Sequence, residues 1–288
     1  MSKVACIVVT YNRVELLKNC ISSLHSQTCG DFDIIVVNNG STDGTKEWLS
    51  TQNDIVTINQ DNVGGAGGFY TGMKTAFESG YDWVWMMDDD GETEAHQLEQ
   101  LLNGAVRLNS KFVNALVCNI NNKEHLAFGL VHNGKGLTIV NEAKEYGDIP
   151  NSINPFNGTM IHRDVIEKIG FIKKEMFIWG DEMEYTYRAR TNGFKLYTVT
   201  SALHYHPQIK SKQFKVIPFV KRFTVDIPGN KERAFIKYRN YGYLCHTYYP
   251  KQEIKDKIKY SVYFLLRLRF KDLVEFHKYY NKGKRNVF

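Results

Sequence analysis

The sequence predicts an α/β fold, an open sheet with helices between its strands and a ligand site along the carboxyl ends of those strands. Two patterns carry this reading. Short β-branched apolar runs at residues 3–10, 33–37 and 54–59 alternate with stretches of helical spacing. Then Trp83-Val84-Trp85-Met86-Met87 runs straight into Asp88-Asp89-Asp90-Gly91, the pattern of a strand buried on both faces that ends in carboxylates. The length of 288 residues and an apolar fraction of 43% allow one large domain with an appendage.

Residues 3–10 form the first buried strand. It breaks at Tyr11-Asn12-Arg13, after which Leu17, Ile21 and Leu24 recur on one helical face, so the chain opens with a Rossmann-like unit. The second strand, 33–37, runs into Asn38-Asn39-Gly40-Ser41-Thr42-Asp43-Gly44-Thr45. In this set of turn formers Ser41 or Thr42 is expected to cap the helix carrying Trp48 and Leu49. After the third strand, Asn62-Val63-Gly64-Gly65-Ala66-Gly67-Gly68-Phe69 leads into a helix through Met73, Ala76 and Phe77. Glycines ahead of a helix allow close backbone approach to a phosphate, although a flexible turn is the plainer reading. The position after the third strand and the spacing exclude the dinucleotide fingerprint.

Residues 94–108 read as a helix and 112–120 as a strand. Gly129, Gly134, Gly136 and Gly147 indicate hairpins and loops, to which no role is assigned. A turn at Phe156-Asn157-Gly158 enters another strand. Phe177-Ile178-Trp179-Gly180 precedes Asp181-Glu182-Met183-Glu184, where Asp181 is placed to cap a helix whose dipole the acids suit. Residues 194–199 are a strand, followed by His204-Tyr205-His206-Pro207.

Charge divides the chain. Residues 1–206 hold 17 Lys and Arg against 25 Asp and Glu, whereas residues 207–288 hold 20 against six. Two helices, 229–249 and 251–281, are expected in this basic extension, with a break near Pro250. In the second, Ile254, Ile258, Val262, Leu265 and Phe276 share a face, while Lys255, Lys257, Lys259, Arg267 and Lys271 spread elsewhere and Arg269 and Asp272 interrupt the pattern. Such a helix docks on its own domain, pairs subunits in a homo-oligomer, or lies on an anionic membrane surface. The five cysteines lack CxxC spacing and fit free thiols in a reducing compartment. A strand-like run begins within two residues of Met1, so no signal peptide is expected, and no apolar run approaches the roughly 18 residues of a membrane span. A cytoplasmic protein is therefore expected.

Three adjacent carboxylates repel one another unless something positive lies among them. A solvated acidic turn is the ordinary reading of an Asp run. At the end of a buried strand, though, a hard divalent cation with a diphosphate is the better chemical match, because Mg²⁺ takes one or two carboxylates plus phosphates. Asp88 and Asp90 would hold Mg²⁺ or Mn²⁺, His206 would add a neutral imidazole, and the Asp181-Glu182 cluster would supply a general base.

Four segments, VVTYNR (8–13), VVNNGSTDGT (36–45), MMDDD (86–90) and WGDEMEYTYR (179–188), resemble in order the inverting family 2 glycosyltransferases of GT-A fold. The 62–69 segment is similar to the galactofuranosyltransferase and rhamnosyltransferase branch. The resemblance implies a GT-A catalytic domain at 1–206, with a nucleotide-binding half at about 1–90 and an acceptor half at about 91–206, followed by a mainly helical extension at 207–288. It places Thr10, Asn12, Arg13, Asn38 and Asn62 around the nucleotide, with the backbone at Gly65 and Gly68 nearby, and Asp89 facing the donor sugar or ribose. It puts the metal on Asp88, Asp90 and His206, with His204 as fallback, and the base on Glu182, with Asp181 still a candidate because the family usually carries Asp there. Many members carry Asp where Asn38 stands, which blurs the choice between uridine and thymidine. The implied reaction moves a sugar, galactofuranose from UDP-galactofuranose first and rhamnose from a dTDP donor second, onto a lipid-linked or oligosaccharide acceptor in surface-glycan synthesis. A lipid-linked acceptor would make the protein peripheral at the inner face of the membrane.

Two other classes want some of these features. A nucleotidyltransferase needs a glycine-rich basic loop right after the first strand, where Thr10-Tyr11-Asn12-Arg13 stands. A nucleic-acid-binding protein is suggested by the aromatics among the lysines of 251–285, but the body is acidic and no such motif is present, so no nucleic-acid partner is expected.

Overall fold

The computed structural model describes residues 3–154, 156–208, 213–217 and 223–288. The chain divides into two compact units, 1–174 with 185–209, and 175–184 with 210–288. The segment 175–184, expected within a domain at 1–206, packs with the C-terminal residues.

The first unit opens with β1 (Val4–Thr10), α1 (Val14–His25), β2 (Phe32–Asn38), α2 (Thr45–Leu49), β3 (Ile55–Asn59), α3 (Gly64–Glu78) and β4 (Trp83–Asp88). These strands lie in the order β3-β2-β1-β4, all parallel. All of β1 and the first five residues of β4 are buried, as uniformly apolar runs covered on both faces must be. The face of α1 read from the sequence, Leu17, Ile21 and Leu24, is buried together with Cys20.

The unit continues through β5 (Glu92–Thr93), α4 (Gln97–Arg107), β6 (Phe112–Asn119), β7 (Asn122–His132), β8 (Lys135–Ile139), α5 (Val140–Glu145), β9 (Ile149–Pro150), β10 (Thr159–His162), α6 (Arg163–Ile169), the part of α7 (Asp181–Thr191) from Tyr185 onward, and β11 (Leu196–His206). Strand β10 is inserted antiparallel between β4 and β6, and β11 runs parallel to β6. Strands β1, β2, β3, β4, β6 and β11 therefore present their carboxyl ends along one edge, where open α/β sheets bind ligands.

Three local expectations change. Neither Ser41 nor Thr42 caps α2: Asp43 Oδ1 accepts the Thr45 N–H at 3.2 Å, and Ser41 Oγ accepts the Asn12 N–H at 2.9 Å. The glycine run lies inside α3 rather than ahead of it. A Cβ at Gly68 or Gly72 would strike Val9 or Ile7 of β1, so these glycines let the helix lie close on the sheet. Strand β11 extends to His206 instead of ending at 199. Its register shifts between Val199 and Leu203, and this bulge hides the alternation from the sequence.

The second unit contains β12 (Gln213–Lys215) paired with β13 (Thr224–Asp226), and helices α8 (Ala234–Tyr248), α9 (Pro250–Leu265) and α10 (Phe270–Lys284). The expected helix over 251–281 is two helices. Leu268 takes a left-handed φ of 54° in the turn, and Arg269 pairs with Asp272 at 2.7 Å, the two residues that interrupted the apolar pattern. Pro250 starts α9, where its missing N–H costs no helical bond. Helices α8 and α10 cross at Gly242 and Gly283, where any Cβ would meet the other helix's backbone.

Tyr238, Tyr260, Phe264, Phe276 and Tyr280 form this unit's core, with the Tyr260 and Phe276 rings stacked at 4.6 Å. The aromatics that suggested nucleic-acid stacking are thus mostly consumed by packing. The face of α9 that points inward carries Glu253, Asp256, Tyr260, Tyr263 and Phe264, whereas Ile254, Ile258 and Leu265 are exposed. Of the apolar face expected to dock, Phe276 is in the core and Val262 packs against it, whereas Ile254, Ile258 and Leu265 lie on the outer side. Among the described residues no helix is long and apolar enough to cross a membrane.

Candidate active site

Asp88 is the last residue of β4, in register with Val9 of β1. The chain then turns, and β5 pairs antiparallel with β11, Thr93 opposite His204 and Glu92 opposite Tyr205. This pairing carries the acidic turn to the end of β11. One ligand atom each from Asp88, Asp90 and His206 lie within 4.8 Å of one another.

The chemistry of this trio fits a cation. His206 Nδ1 is 2.7 Å from the carbonyl oxygen of Pro207, which can only accept, so Nδ1 carries the hydrogen. In the neutral ring Nε2 then holds a lone pair, and it stands 3.0 Å from Asp90 Oδ1, a buried oxygen with no donor aimed at it. Two acceptors face each other, and only a proton or a metal ion between them makes the contact favourable. A backbone-anchored Nδ1–H that directs Nε2 inward is how ligating histidines are commonly oriented. Burial, and then the charge of Asp90, push Asp88 up to about 7. For Asp90, burial opposes ionisation, but His206 and Arg13 outweigh it and hold the group below its ordinary value. For His206, burial disfavours the imidazolium, yet Asp90 and Asp88 raise it above its ordinary value. The cluster is short of positive charge.

Asp89 turns away from the trio. It accepts from Thr10 Oγ1 at 2.7 Å and from Arg13 Nη1 at 3.2 Å, and the same Arg13 nitrogen reaches Asp90 at 2.9 Å. The other nucleotide candidates stand at the end of β2 and on the loops after β1 and β3. Asn12, with φ 54°, accepts the Thr42 N–H at 2.7 Å. Asn38 donates to Asn59 Oδ1 at 2.8 Å and accepts the Ser41 N–H at 3.1 Å. Asn62 accepts the Gly64 N–H at 2.9 Å. A Cβ at Gly65 would meet open space, whereas Gly68 is explained by its contact with Val9.

His204, the fallback ligand, is outside the trio. It is fully buried, with Nδ1 3.3 Å from Gln97 Oε1, and burial pushes it down to about 3. Its ring lies against Gly91, where a Cβ would collide with Nε2, so His204 supports the acidic turn from beneath. Asn39 went unread in the sequence. It is buried, accepts from Gln60 Nε2 and the Val63 N–H, and donates to the Gly64 carbonyl, tying β2 and β3 to the start of α3. The adjacent Asn pair at a strand end was its only signal.

Asp181 and Glu182 belong to the second unit. Helix α7 begins at Asp181, and Glu182 turns back and accepts the Gly180 N–H at 2.9 Å. The loop before them is strained. Phe177 (φ 67°) and Trp179 (φ 64°) both adopt the left-handed region, which is costly for bulky side chains, and Gly180 follows at φ 100°. Asn240 of α8, 1% exposed, holds this loop by donating to the carbonyls of Met176 at 2.8 Å, Ile178 at 3.0 Å and Trp179 at 2.9 Å. Arg239 adds the Glu175 and Met176 carbonyls. No local motif marks Asn240, because its partners lie more than 60 residues earlier. Asn240→Ala leaves buried carbonyls unpaired and should cost about 1–3 kcal/mol of stability. It should also depress turnover at temperatures where the variant is still folded. Thermal melts and initial rates unchanged from the native protein would show that the loop holds itself.

A mostly parallel α/β sheet with an Asp-Asp-His cluster at its carboxyl edge is the architecture of a GT-A-type enzyme. The family model described as Glycosyl transferase family 2 matches residues 5–170, and the chain belongs to that family. It is 32% identical to galactofuranosyltransferase GlfT1 of Mycobacterium tuberculosis, over 99% of this chain and 96% of that protein. It is 30% identical to GlfT1 of Mycolicibacterium smegmatis, over 92% and 91% of the two chains. The crystal structure of TarS from S. aureus superposes with a TM-score of 0.54 at 16% identity, over 71% of this chain and 36% of that longer one, a likeness of fold. The protein is a glycosyltransferase.

Proposed function

We propose that this enzyme transfers galactofuranose from UDP-galactofuranose to a hydroxyl of a growing, lipid-linked bacterial surface glycan, with inversion at the anomeric carbon. The observation that carries the reading is the similarity, over nearly the whole length, to two mycobacterial proteins named as galactofuranosyltransferases. Thr10, Asn12, Arg13, Asn38 and Asn62 bind the nucleotide. Asp88, Asp90 and His206 hold Mg²⁺ or Mn²⁺, which when bound neutralises the departing diphosphate. Arg13, shared between Asp89 and Asp90, keeps a positive charge next to that site. Glu182 takes the proton of the acceptor hydroxyl as the oxygen attacks the anomeric carbon, and the half-exposed indole of Trp179 offers a flat wall to the acceptor sugar. A lipid-linked acceptor places the enzyme at the cytoplasmic leaflet, where the basic extension gives peripheral attachment to anionic lipid.

A panel of UDP- and dTDP-sugars with a lipid-linked acceptor, read by nucleoside diphosphate release, tests the donor. UDP-galactofuranose is expected to turn over fastest. Turnover with dTDP-rhamnose instead would move the enzyme to the rhamnosyl branch, for which the amide at Asn38 leaves room. Turnover only with UDP-glucose or UDP-N-acetylglucosamine would refute both.

A further inference from the structure

We infer that the outer side of α9, with the turn into α10, inserts its apolar side chains into the interface of an anionic bilayer. The inference deepens the peripheral-attachment part of the proposed function and is independent of the donor sugar. Opposite the buried face of α9, Ile254, Ile258 and Leu265 point outward. The apolar run continues off the helix end through Leu266, Leu268, Phe270 and Val274, and all seven are between 46% and 76% exposed. A helix normally turns such side chains to a core, and apolar side chains left exposed together mark interaction sites. Leu268 sharpens the point. It has the left-handed backbone that Gly or Asn adopts most cheaply, and three-quarters of it is exposed, so neither packing nor backbone preference accounts for a leucine there.

The charges around the patch choose the occupant. Lys251, Lys255 and Lys271 are exposed along the same stretch, while Arg267 spends its guanidinium on the carbonyls of Lys215 and Val216. Of the acids in residues 250–275, Glu253 accepts from Lys257 and Lys284, Asp256 accepts from Tyr241, Asp272 is paired with Arg269, and Glu275 is only partly exposed. A second copy presenting the same face would bring lysine against lysine with no exposed acid to pair them. A lipid surface with anionic headgroups over an apolar interior matches both components, with lysine at headgroup level and Leu and Phe below it. Charge alone would let salt strip the protein from the membrane, whereas the apolar contact is not screened.

Cosedimentation with neutral and anionic phosphatidylglycerol-containing vesicles tests this, using the full chain at low and high salt. The native protein should bind anionic vesicles and stay partly bound at high salt. Leu268→Asn combined with Phe270→Ser removes only exposed apolar surface, and Asn suits the turn, so the fold should hold. This variant should lose at least about tenfold in affinity and all salt-resistant binding, while turnover on a soluble acceptor stays unchanged. Leu268→Trp should blue-shift its emission on anionic vesicles and be quenched by brominated acyl chains. Unchanged binding of the double variant, or an unquenched Trp, would overturn insertion while leaving electrostatic attachment intact. No vesicle binding at all would overturn both. Self-association abolished by the double variant would assign the face to a second copy and overturn the inference.

Discussion

Asp90→Asn, and likewise Asp88→Asn, is expected to lower sugar transfer by at least about three orders of magnitude, since metal-assisted charge stabilisation supplies several kcal/mol. The fold should survive. Burial and the adjacent Asp90 already push Asp88 up to about 7, so the apo structure resists its charge and a neutral amide relieves that cost. Without metal the Asp88→Asn protein should therefore melt no lower than the native one. With Mn²⁺ added, the native melting temperature should rise by linkage to binding, and the variants should lose most of that rise. Full turnover in excess chelator, or an identical metal-induced shift in both variants, would sink the assignment of the Asp88–Asp90–His206 trio. The second readout needs no activity, so loss of the metal and loss of the acceptor side can be told apart.

Glu182→Gln is expected to reduce transfer by about 10²–10⁴-fold, the usual worth of a general base, with donor affinity nearly unchanged because the base acts on the acceptor. The swap is conservative: the amide oxygen can still accept the Gly180 N–H, so loop and helix start are preserved. Exposure favours Glu182 over its neighbour, since Asp181 is 5% exposed and Glu182 is less buried. Donor binding by calorimetry, together with single-turnover transfer, checks this. An inactive Asp181→Asn beside an active Glu182→Gln would reverse the assignment.

Much of the nucleotide-side scaffold was legible residue by residue. Uniform apolar runs such as Trp83 to Met87 can only be strands covered on both faces, and the change from a continuous apolar run to helical spacing at Arg13 marks α1. The acidic run at the end of β4 and the two histidines near Pro207 were also visible, because chemistry-bearing side chains stand out against apolar surroundings. The C-terminal helices were read less well. Their inward face mixes Glu253 and Asp256 with aromatics, and their outward face mixes Ile254, Ile258 and Leu265 with lysines, so periodicity alone does not separate inside from outside.

The sequence by itself determined the α/β class, the family and the residue types able to hold a cation, since these depend on local periodicity and on short motifs. Only the tertiary structure decided which of them meet. The β5–β11 pairing brings His206, rather than His204, to Asp88 and Asp90, and the bulge after Val199 that places these histidines lies in no local pattern. It likewise showed that Gly68 and Gly91 make room for Val9 and His204, that Asn240 holds the strained loop before Glu182, and that α9 turns its isoleucines outward. Each of these depends on contacts between residues far apart in the chain, whose partners are chosen by packing and hydrogen-bond satisfaction across the whole unit and not by any neighbouring residue.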